Sequence, residues 1–371
     1  MIMKIGIDAR LIRETGVGRY IRNLICQLAS TDKQNTYILF LTKKDYDRFP
    51  SPGKNFLKVK ADIPWHSIRE QLEMPGLIAK QKLDLIHIPY FNIPVLYSGK
   101  MIVTIHDLTI LHFATGKATT LPVPIYEIKR LAYRLILAIG LRKAVKIITP
   151  SLTTKKEIID HYAISENKIT VTYEGVDDSI AKNNTQNAKP FIGFPYFLYV
   201  GNAYPHKNLE RLLEAFNMFT VHGSGVVKNI KLVLVGKEDY FYRRLIDIVH
   251  KEKLEKQVIF FGEANDRQLV NLYRNAIALV FPSLMEGFGL PALEAVSCGR
   301  PVIVSDIPVF HEILGKSALF INPISVENLY EKMLQIVQQP HVKPNPVNMD
   351  RFSWTLLAKV TLDIYEHCVR L

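Results

Sequence analysis

The sequence predicts an α/β protein made of two facing, doubly wound parallel-sheet domains of the Rossmann-like kind. Short apolar runs alternate with amphipathic segments along the whole chain, which is typical of βαβ units. The apolar runs are nearly continuous, as expected of parallel strands that are covered on both faces. With 371 residues, the chain is also longer than a single hydrophobic core usually supports.

The predicted strands fall into two groups, one in each half of the chain. In the first half they span residues 4–8, 37–42, 85–88, 101–105, 146–149 and 169–172. In the second half they span residues 197–200, 231–235, 258–261, 278–281 and 301–305. Amphipathic segments with a helical period include residues 20–29, 209–219, 267–274 and 354–371. Because parallel sheets bind ligands beyond the carboxyl ends of their strands, the informative residues should follow strand ends.

A polar tract without periodicity, at residues 180–192, predicts the linker between the domains. We therefore predict a first domain at 1–185, a second at 186–350, and a helix at 351–371 that packs back on the first. Residues 1–185 carry a net charge of +10 and the remainder only +2. A basic excess of this kind suits nucleic acid, an anionic lipid surface or a phosphorylated ligand.

Cysteine usage and hydropathy favour a cytoplasmic protein that is at most peripheral to a membrane. Cys26, Cys298 and Cys368 are far apart and form neither a disulfide framework nor a metal-ligand pair. No signal-peptide core and no apolar run of membrane-spanning length is present. We expect no metal, and no nucleic acid partner either, because no nucleic-acid-binding module is recognisable.

The segment at residues 281–301 carries the most distinctive chemistry. Pro291 suits the first turn of a helix that Gly299 can end. The amides of Phe288, Gly289 and Leu290 then lie at or just before a helix N-terminus, where unpaired N–H groups and the helix dipole favour an anion.

Two carboxylates eight residues apart, Glu286 and Glu294, flank that turn. Beside a phosphate site they suit sugar hydroxyls, which need fixed hydrogen-bond partners. The alternative is that Glu294 only complements the helix dipole and that Gly287 and Gly289 only turn the chain.

The motif EGFGLPALEA at 286–295 resembles the E-x7-E signature of the retaining glycosyltransferases of family 4, which have the GT-B fold. Other landmarks follow in the family's order: IGIDAR at 5–10, TGVGRY at 15–20, His106-Asp107, TPS at 149–151, GVD at 175–177, VGNAYPHKN at 200–208 and AVSCGRPVIVSD at 295–306. The GVGRY and KNLE stretches resemble the branch of bacterial O-antigen mannosyltransferases. The resemblance implies metal-independent transfer of a hexose, with mannose from GDP-mannose the best guess. The acceptor would be a hydroxyl of a cell-surface glycan or a lipid-linked acceptor, as in lipopolysaccharide and other polysaccharide biosynthesis, with retention of configuration and no cofactor.

The resemblance also assigns roles to residues that match the family's donor site. Glu286 matches the residue that contacts the donor sugar, and Glu294 the one that binds the nucleotide ribose. The donor phosphates would be bound by the backbone amides of Phe288, Gly289 and Leu290. Lys207 matches the cation that neutralises the diphosphate, whose charge grows as the nucleotide departs.

Four further positions are candidates for the site, and two of them, His106 and Gly236, also have a plainer interpretation. Gly16 and Gly18 resemble the loop that lets backbone approach the diphosphate or the acceptor closely. His106 matches a histidine near the reacting sugar, and the alternative is that it caps the turn after its strand. Gly236, which follows strand 231–235, either admits the nucleotide base or makes a tight turn.

The chain departs from the family pattern at two places. Asn202 stands where relatives commonly have arginine, so one guanidinium is missing from the phosphate clamp, and His206 or Arg10 is a candidate to replace it. Glu174 stands where the family often has asparagine, a change that we interpret as structural.

Residues 117–146 carry seven basic side chains against one acid, Glu127. Helical spacing of cations with Leu131, Leu135 and Ile136 predicts an amphipathic helix that meets an anionic membrane surface or a lipid-linked acceptor. The cations assigned to this surface are Lys129, Arg130, Arg134, Arg142 and Lys143, with Trp65, Ile68 and Arg69 as neighbours. In the alternative, the apolar side packs into the first domain and the charges are simply solvated.

Three other functions remain open from the sequence: a nucleotide-sugar epimerase, a non-catalytic nucleotide-sugar binder, and a polyanion binder. Product that forms only with an acceptor distinguishes a transferase from an epimerase. Steeply salt-dependent binding would indicate the polyanion binder.

Overall fold

A computed structural model describes residues 2–112, 123–177, 180, 190–222, 229–339 and 345–370. The chain divides into two compact units. Unit 1 contains the described residues up to His112, from 123 to Gly175 and from Arg351 onward, and unit 2 contains those from Val176 to Asp350. The predicted linker at 180–192 and the predicted boundary at 185 lie largely outside the described residues.

The described part of unit 1 contains a seven-stranded sheet with every pairing parallel. Its strands are β1 (Lys4–Asp8), β2 (Thr36–Leu41), β3 (Phe56–Lys60), β4 (Leu85–Ile88), β5 (Met101–Thr104), β6 (Lys146–Thr149) and β7 (Ile169–Val171). The spatial order is β3-β2-β1-β4-β5-β6-β7. The winding direction therefore reverses between β1 and β4, the position where sheets of this kind bind ligands.

Among the described residues, unit 1 contains six α-helices before its C-terminal one, and three of these begin at a side-chain cap that the sequence supplies. The six are α1 (Val17–Thr31), α2 (Lys43–Arg48), α3 (Ile68–Ala79), α4 (Thr109–His112), α5 (Val123–Lys143) and α6 (Leu152–Tyr162). The side chains of Thr42, Ser67 and Ser151 accept hydrogen bonds from the first-turn amides of α2, α3 and α6. These caps fix where each helix starts after its strand.

Unit 2 repeats the architecture with a six-stranded parallel sheet in the order β10-β9-β8-β11-β12-β13. Its strands are β8 (Tyr196–Val200), β9 (Lys231–Val235), β10 (Val258–Gly262), β11 (Ala278–Phe281), β12 (Val302–Ser305) and β13 (Leu319–Ile321). The described helices are α7 (Leu209–His222), α8 (Tyr240–Lys251), α9 (Asp266–Asn275), α10 (Leu290–Ser297), α11 (Pro308–Leu314) and α12 (Val326–Gln338).

The last helix, α13 (Trp354–Arg370), belongs to unit 1 and packs on α1. The Tyr365 hydroxyl lies 2.6 Å from Nδ1 of the buried His87 in β4. Lys100 Nζ donates to the carbonyls of Cys368 and Val369, at 3.1 and 3.0 Å. The predicted return of the C-terminal helix to the first domain is therefore confirmed.

The predicted α/β fold class is confirmed, and the predicted strands agree with the observed ones to within one residue at each end. Two strands escape the sequence, β3 and β13, and both lie at sheet edges. Lys58 and Lys60 interrupt the apolar residues of β3, and β13 is only three residues long, so neither has the extended apolar run used to recognise the other strands.

Candidate functional site

The loop after β11 leads into α10 through a glycine that no other residue can replace without strain. Gly289 has φ +95°, and a Cβ there would lie 2.6 Å from the ring of Phe310. Pro291 occupies the first turn, and α10 begins without a side-chain cap at Gly289. The helix start predicted at 288–291 is present, with an end suited to an anion.

Lys207 and Glu286 form an ion pair in unit 2. Lys207 ends the 3₁₀ turn Pro205–Lys207 after β8, and its Nζ lies 2.6 Å from Glu286 Oε1. The two side chains are 13% and 10% exposed, so the pair is near the surface rather than in the core. Lys207 Nζ also lies 5.5 Å from the centroid of the Phe281 ring. The structure therefore brings together the two charged residues that the sequence assigned to the diphosphate and the donor sugar.

Asn208 holds the turn that carries Lys207 in place, a role the sequence reasoning missed. Its Nδ2 donates to the carbonyls of Pro282 and Pro323, at 3.0 and 2.7 Å. The Leu284 amide donates to the carbonyl of His206 at 2.7 Å, which adds a second link between the turn and the loop after β11. Asn208 has φ +63°, a left-handed conformation that asparagine tolerates better than most residues. The asparagine at the end of the turn was therefore the signal available in the sequence.

Glu294 lies deeper than Glu286. It is buried in the first turns of α10, and its Oε2 accepts a hydrogen bond from the Tyr273 hydroxyl at 2.8 Å. Burial and the nearby Glu294 raise the pKa of the Cys298 thiol to about 11, which disfavours its thiolate form. The role of Glu294 toward a ribose stays a prediction.

Gly236 is required by packing within unit 2. A Cβ there would meet the Gly201 carbonyl oxygen and the Tyr242 hydroxyl, and that hydroxyl donates to the same carbonyl at 2.8 Å. These close contacts are enough to require a glycine here, and the structure does not decide between the two interpretations given by the sequence. Approach of a nucleotide base stays a prediction.

In unit 1, Gly16 precedes α1 and Gly18 lies in its first turn, and the two glycines have different structural roles. Gly16 precedes α1 with φ +69°, and a Cβ there would meet no atom within 4 Å. At Gly18 a Cβ would lie 2.8 Å from the carbonyl oxygens of Leu11 and Ile12. The first glycine therefore provides a backbone angle, and the second lets the loop close against the helix start.

His106 links the ends of three strands in unit 1. It follows β5, its Nδ1 lies 3.1 Å from Glu174 Oε1 after β7, and its Nε2 lies 3.0 Å from the Pro89 carbonyl after β4. The ring of Tyr20 meets it edge-on at 4.8 Å. His106 therefore does more than cap its own turn, and Glu174, where the family often has asparagine, is the residue that orients it.

Arg10 cannot supply the guanidinium missing at Asn202, so that suggestion is wrong. Its side chain is fully buried, with NH2 at 2.6 Å from Asp8 Oδ2 and 2.5 Å from Glu70 Oε1. Burial would lower the pKa of Arg10, but the two carboxylates outweigh it and raise that pKa further above its ordinary value. Asn92 Nδ2 donates to Asp8 Oδ2 at 2.9 Å and closes the cluster.

The basic helix α5 exposes two of the three apolar residues that the sequence grouped with its cations, whereas Ile136 is only partly exposed. Leu131 and Leu135 are 69% and 59% exposed, so the alternative of an apolar side packed into the domain does not describe them. Of the cations, Arg130 pairs with Glu127 at 3.0 Å, while Lys143 Nζ donates to the carbonyls of Val95 and Tyr97. Lys129, Arg134 and Arg142 lie at the surface. Lys117 and the start of the predicted segment lie outside the described residues.

Two negative findings concern the described residues. Among them, no cluster of three or more His, Cys, Asp or Glu side chains is placed to hold a metal ion. Asp45 and Asp47 form an Asp-x-Asp sequence, a pattern whose carboxylates can hold a metal ion. Asp45, however, is buried, accepts a hydrogen bond from Thr42 Oγ1 at 2.8 Å and pairs with Arg13. None of the helices in the described ranges has both the length and the hydropathy needed to cross a membrane.

Two doubly wound parallel sheets, one with a lysine–carboxylate pair before a helix start suited to an anion, are typical of nucleotide-binding enzymes. Comparison with known proteins is more specific. Residues 15–180 match the family model described as Glycosyltransferase Family 4, and residues 181–351 match the model described as Glycosyl transferases group 1.

The O-antigen chain mannosyltransferase RfbU of Salmonella typhimurium is 30% identical over 284 residues, which are 75% of this chain and 72% of that protein. O-antigen chain mannosyltransferase B of Escherichia coli is 26% identical over 380 residues, 95% of this chain and 96% of that one. Among solved structures, sucrose-phosphate synthase from Thermosynechococcus elongatus matches over 98% of both chains with a TM-score of 0.77 at 20% identity. WaaG, a glycosyltransferase involved in lipopolysaccharide biosynthesis, matches over 97% of this chain and 95% of its own, with a TM-score of 0.73 at 16% identity. The chain belongs to the family 4 glycosyltransferases and has the GT-B fold, which confirms the resemblance seen in the sequence.

Proposed function

We propose that this glycosyltransferase moves a hexose, with mannose from GDP-mannose as the first donor to test, to a hydroxyl of a cell-surface glycan or lipid-linked acceptor. The observation that carries the proposal is the Lys207–Glu286 pair placed before the N-terminus of α10. The names of two relatives, both O-antigen chain mannosyltransferases, support the choice of sugar.

In this proposal unit 2 binds the donor. Lys207 exchanges its 2.6 Å contact with Glu286 for a contact with the donor diphosphate. Glu286 can then accept a hydrogen bond from a hydroxyl of the sugar. Glu294 accepts hydrogen bonds from the ribose hydroxyls, and the first-turn amides of α10 bind a phosphate. These groups neutralise the leaving nucleotide without a metal ion, because the charge that grows on it meets a lysine and a helix N-terminus.

Unit 1 binds the acceptor in this proposal and contributes His106 to the reacting sugar. Both ring nitrogens of His106 are engaged, by Glu174 and by the Pro89 carbonyl, so the orientation of the ring is set before substrate binds. In this proposal His106 exchanges one of these contacts for a hydroxyl of the sugar. We propose retention of the anomeric configuration, with the departing phosphate taking the proton of the acceptor hydroxyl.

A thermal-shift screen against GDP-, UDP-, ADP- and dTDP-sugars tests donor binding, because a ligand that binds only the folded protein raises its melting temperature. Lys207→Ala should lower kcat/KM for transfer by about 100- to 1000-fold, the usual loss when one stabilising group is removed from a developing negative charge. Lys207→Arg keeps the charge and serves as the matched control. Wild-type turnover in a folded Lys207→Ala protein, or product that forms without an acceptor, contradicts the proposal.

We further propose that unit 1 meets an anionic lipid surface at the cytoplasmic face of the membrane, through the exposed side of α5. Ile128, Leu131 and Leu135 follow one another at helical spacing and are exposed, beside Lys129 and Arg134. Flotation with phosphatidylglycerol vesicles tests this, with phosphatidylcholine vesicles for comparison. Leu131→Ser/Leu135→Ser should lose binding, whereas Leu57→Ser, at an exposed site on β3, should keep it. Equal flotation of both variants overturns the lipid proposal and leaves the transfer reaction untouched.

A further inference from the structure

The loops after β1, β3 and β4 converge in unit 1 where the sheet reverses its winding direction. Arg10, after β1, donates through NH1 to the carbonyl of Ile63, after β3, at 2.9 Å. Asn92, after β4, donates to Asp8 at the end of β1. Ligands of doubly wound sheets bind at this position, outside the carboxyl ends of the strands.

The polar part of this region has an unused acceptor. Asn92 is 2% exposed, and its Nδ2 donates to Asp8 Oδ2 at 2.9 Å and to Glu70 Oε1 at 3.3 Å. Its Oδ1 is buried and has no hydrogen-bond donor among the described residues. Because a buried amide oxygen without a donor is costly, this atom is suited to a hydroxyl group that a ligand supplies.

Aromatic rings cover the same loops. The ring of His66 stacks on Phe91 with centroids 5.3 Å apart, and meets Trp65 and Tyr133 edge-on at 4.9 and 4.7 Å. Trp65 is 44% exposed, and the other three rings are partly exposed. Burial, with the charges of Arg10 and Lys129, lowers the pKa of His66 to about 4, so its ring is uncharged at neutral pH.

The backbone at His66 is strained in a way that serves this arrangement. His66 has φ +58°, the left-handed region, which few residues other than glycine adopt. The conformation directs its amide to Glu70 Oε2, at 2.8 Å, and so joins the aromatic loop to the buried carboxylates. Strain of this kind is concentrated at ligand-binding sites.

We propose that Trp65, His66, Phe91, Tyr133 and Asn92, together called the β1/β4 aromatic site, bind a neutral hexose ring of the glycan acceptor. Aromatic faces are electron-rich and attract the C–H face of a pyranose, while Asn92 Oδ1 accepts one of its hydroxyls. The charges near the rings balance, because Asp8 and Glu70 are matched by Arg10 and the nearby Lys129, and Arg10 is hydrogen-bonded to both carboxylates. This leaves no excess positive charge for an acidic sugar, so a neutral ring is favoured. The assignment to an acceptor rests on the proposed transferase function.

Trp65 reports directly on this site, because the chain has only two tryptophans and the other, Trp354, is buried. In acrylamide quenching without donor, an α-linked mannose trisaccharide should protect Trp65 saturably, and trigalacturonate should not. Equal protection by both sugars, or none by either, overturns the proposal. Protection only by phosphatidylglycerol vesicles would assign Trp65 to lipid instead and also overturns it.

Transfer kinetics give the second measurement. Trp65→Ala should raise the KM for the mannose trisaccharide acceptor about tenfold, with kcat and the donor KM within about twofold of wild type. Trp65→Phe keeps a ring and should restore most of the affinity. Leu356→Ala, which removes an apolar side chain of the same 44% exposure on α13, is the matched control. An unchanged acceptor KM in Trp65→Ala contradicts the proposed site but not the proposed transferase function. Absence of transfer with every donor contradicts the transferase function, and the quenching measurement then decides whether the site binds a sugar.

Discussion

Each unit places a cation beside carboxylates beyond the carboxyl ends of its strands, but the two cations differ in burial. In unit 1 the side chains of Arg10, Asp8 and Glu70 are 0–2% exposed. In unit 2 those of Lys207 and Glu286 are 13% and 10% exposed. A fully buried cation cannot change partner without leaving charge unpaired in a medium of low dielectric constant. A partly exposed lysine can do so, because water and a flexible stem are available to it. The buried ion pairs of Arg10 therefore hold the loops of unit 1 together, whereas Lys207 in unit 2 can exchange its partner for a ligand.

Removal of the buried cation should have the largest effect and is the strongest test of the difference in burial. Arg10→Met leaves Asp8 and Glu70 buried without their partner, and we expect the free energy of unfolding of unit 1 to fall by about 3–5 kcal/mol. Urea denaturation followed by tryptophan fluorescence measures this, because Trp65 and Trp354 both belong to unit 1.

Arg69→Met is the control for that measurement. Arg69 pairs with Glu73 on the surface of α3, with a side chain that is 60% exposed, so we expect a change below about 1 kcal/mol. If the two variants lose similar stability, burial is not what distinguishes Arg10.

The two cations also show what the sequence can predict. In unit 2, Glu286, Gly289, Pro291 and Glu294 occupy one loop and one helix, so turn and capping chemistry place them. Lys207 is 79 residues from Glu286, and only the family resemblance assigned it to the same site. The strands are predictable for a similar local reason, since a continuous apolar run requires cover on both faces. β3 and β13 are the exceptions, because Lys58 and Lys60 interrupt the apolar residues of β3 and β13 is only three residues long.

The cluster around Arg10 depends on contacts that the sequence does not display. Glu70 is 60 residues from Arg10, and Asn92 is 84 residues from Asp8. Only the strand order brings them together, and that order is not contained in local periodicity. For this reason Arg10 was a candidate for the phosphate clamp by sequence and is a buried brace in the structure.

Two glycines sharpen the comparison at the level of the backbone. Gly289→Ala in unit 2 meets both a left-handed backbone and the ring of Phe310, so we expect a loss of about 2–4 kcal/mol. Gly16→Ala in unit 1 meets only the backbone penalty, with no atom near the new Cβ, and should lose about 1–2 kcal/mol. Differential scanning calorimetry of the two variants measures both. A Gly16→Ala protein that is the less stable of the two contradicts the assignment of the Phe310 contact.

The smallest expected effect concerns acid stability of unit 1. Complete burial, with a contribution from His106, lowers the pKa of His87 from 6.5 to about 3. Between those values the unfolded chain binds a proton at His87 and the folded chain does not, so the free energy of unfolding falls as pH decreases, by about 1.4 kcal/mol for each pH unit. His87→Gln retains hydrogen-bonding groups for Tyr365 and Thr104 but does not titrate, and its stability should depend less steeply on pH by that amount.

Urea denaturation from about pH 6 to about pH 5, followed by tryptophan fluorescence, isolates the His87 contribution as the difference between the two proteins. His66 acts in the same direction, since its pKa is lowered to about 4. Glu157 acts in the opposite direction, because burial and the nearby Asp107 raise its pKa to about 7 and its folded form holds a proton that the unfolded form releases. Both groups are present in wild type and variant, so they cancel in the difference. Equal slopes in the two proteins would mean that His87 accepts its proton without leaving the core.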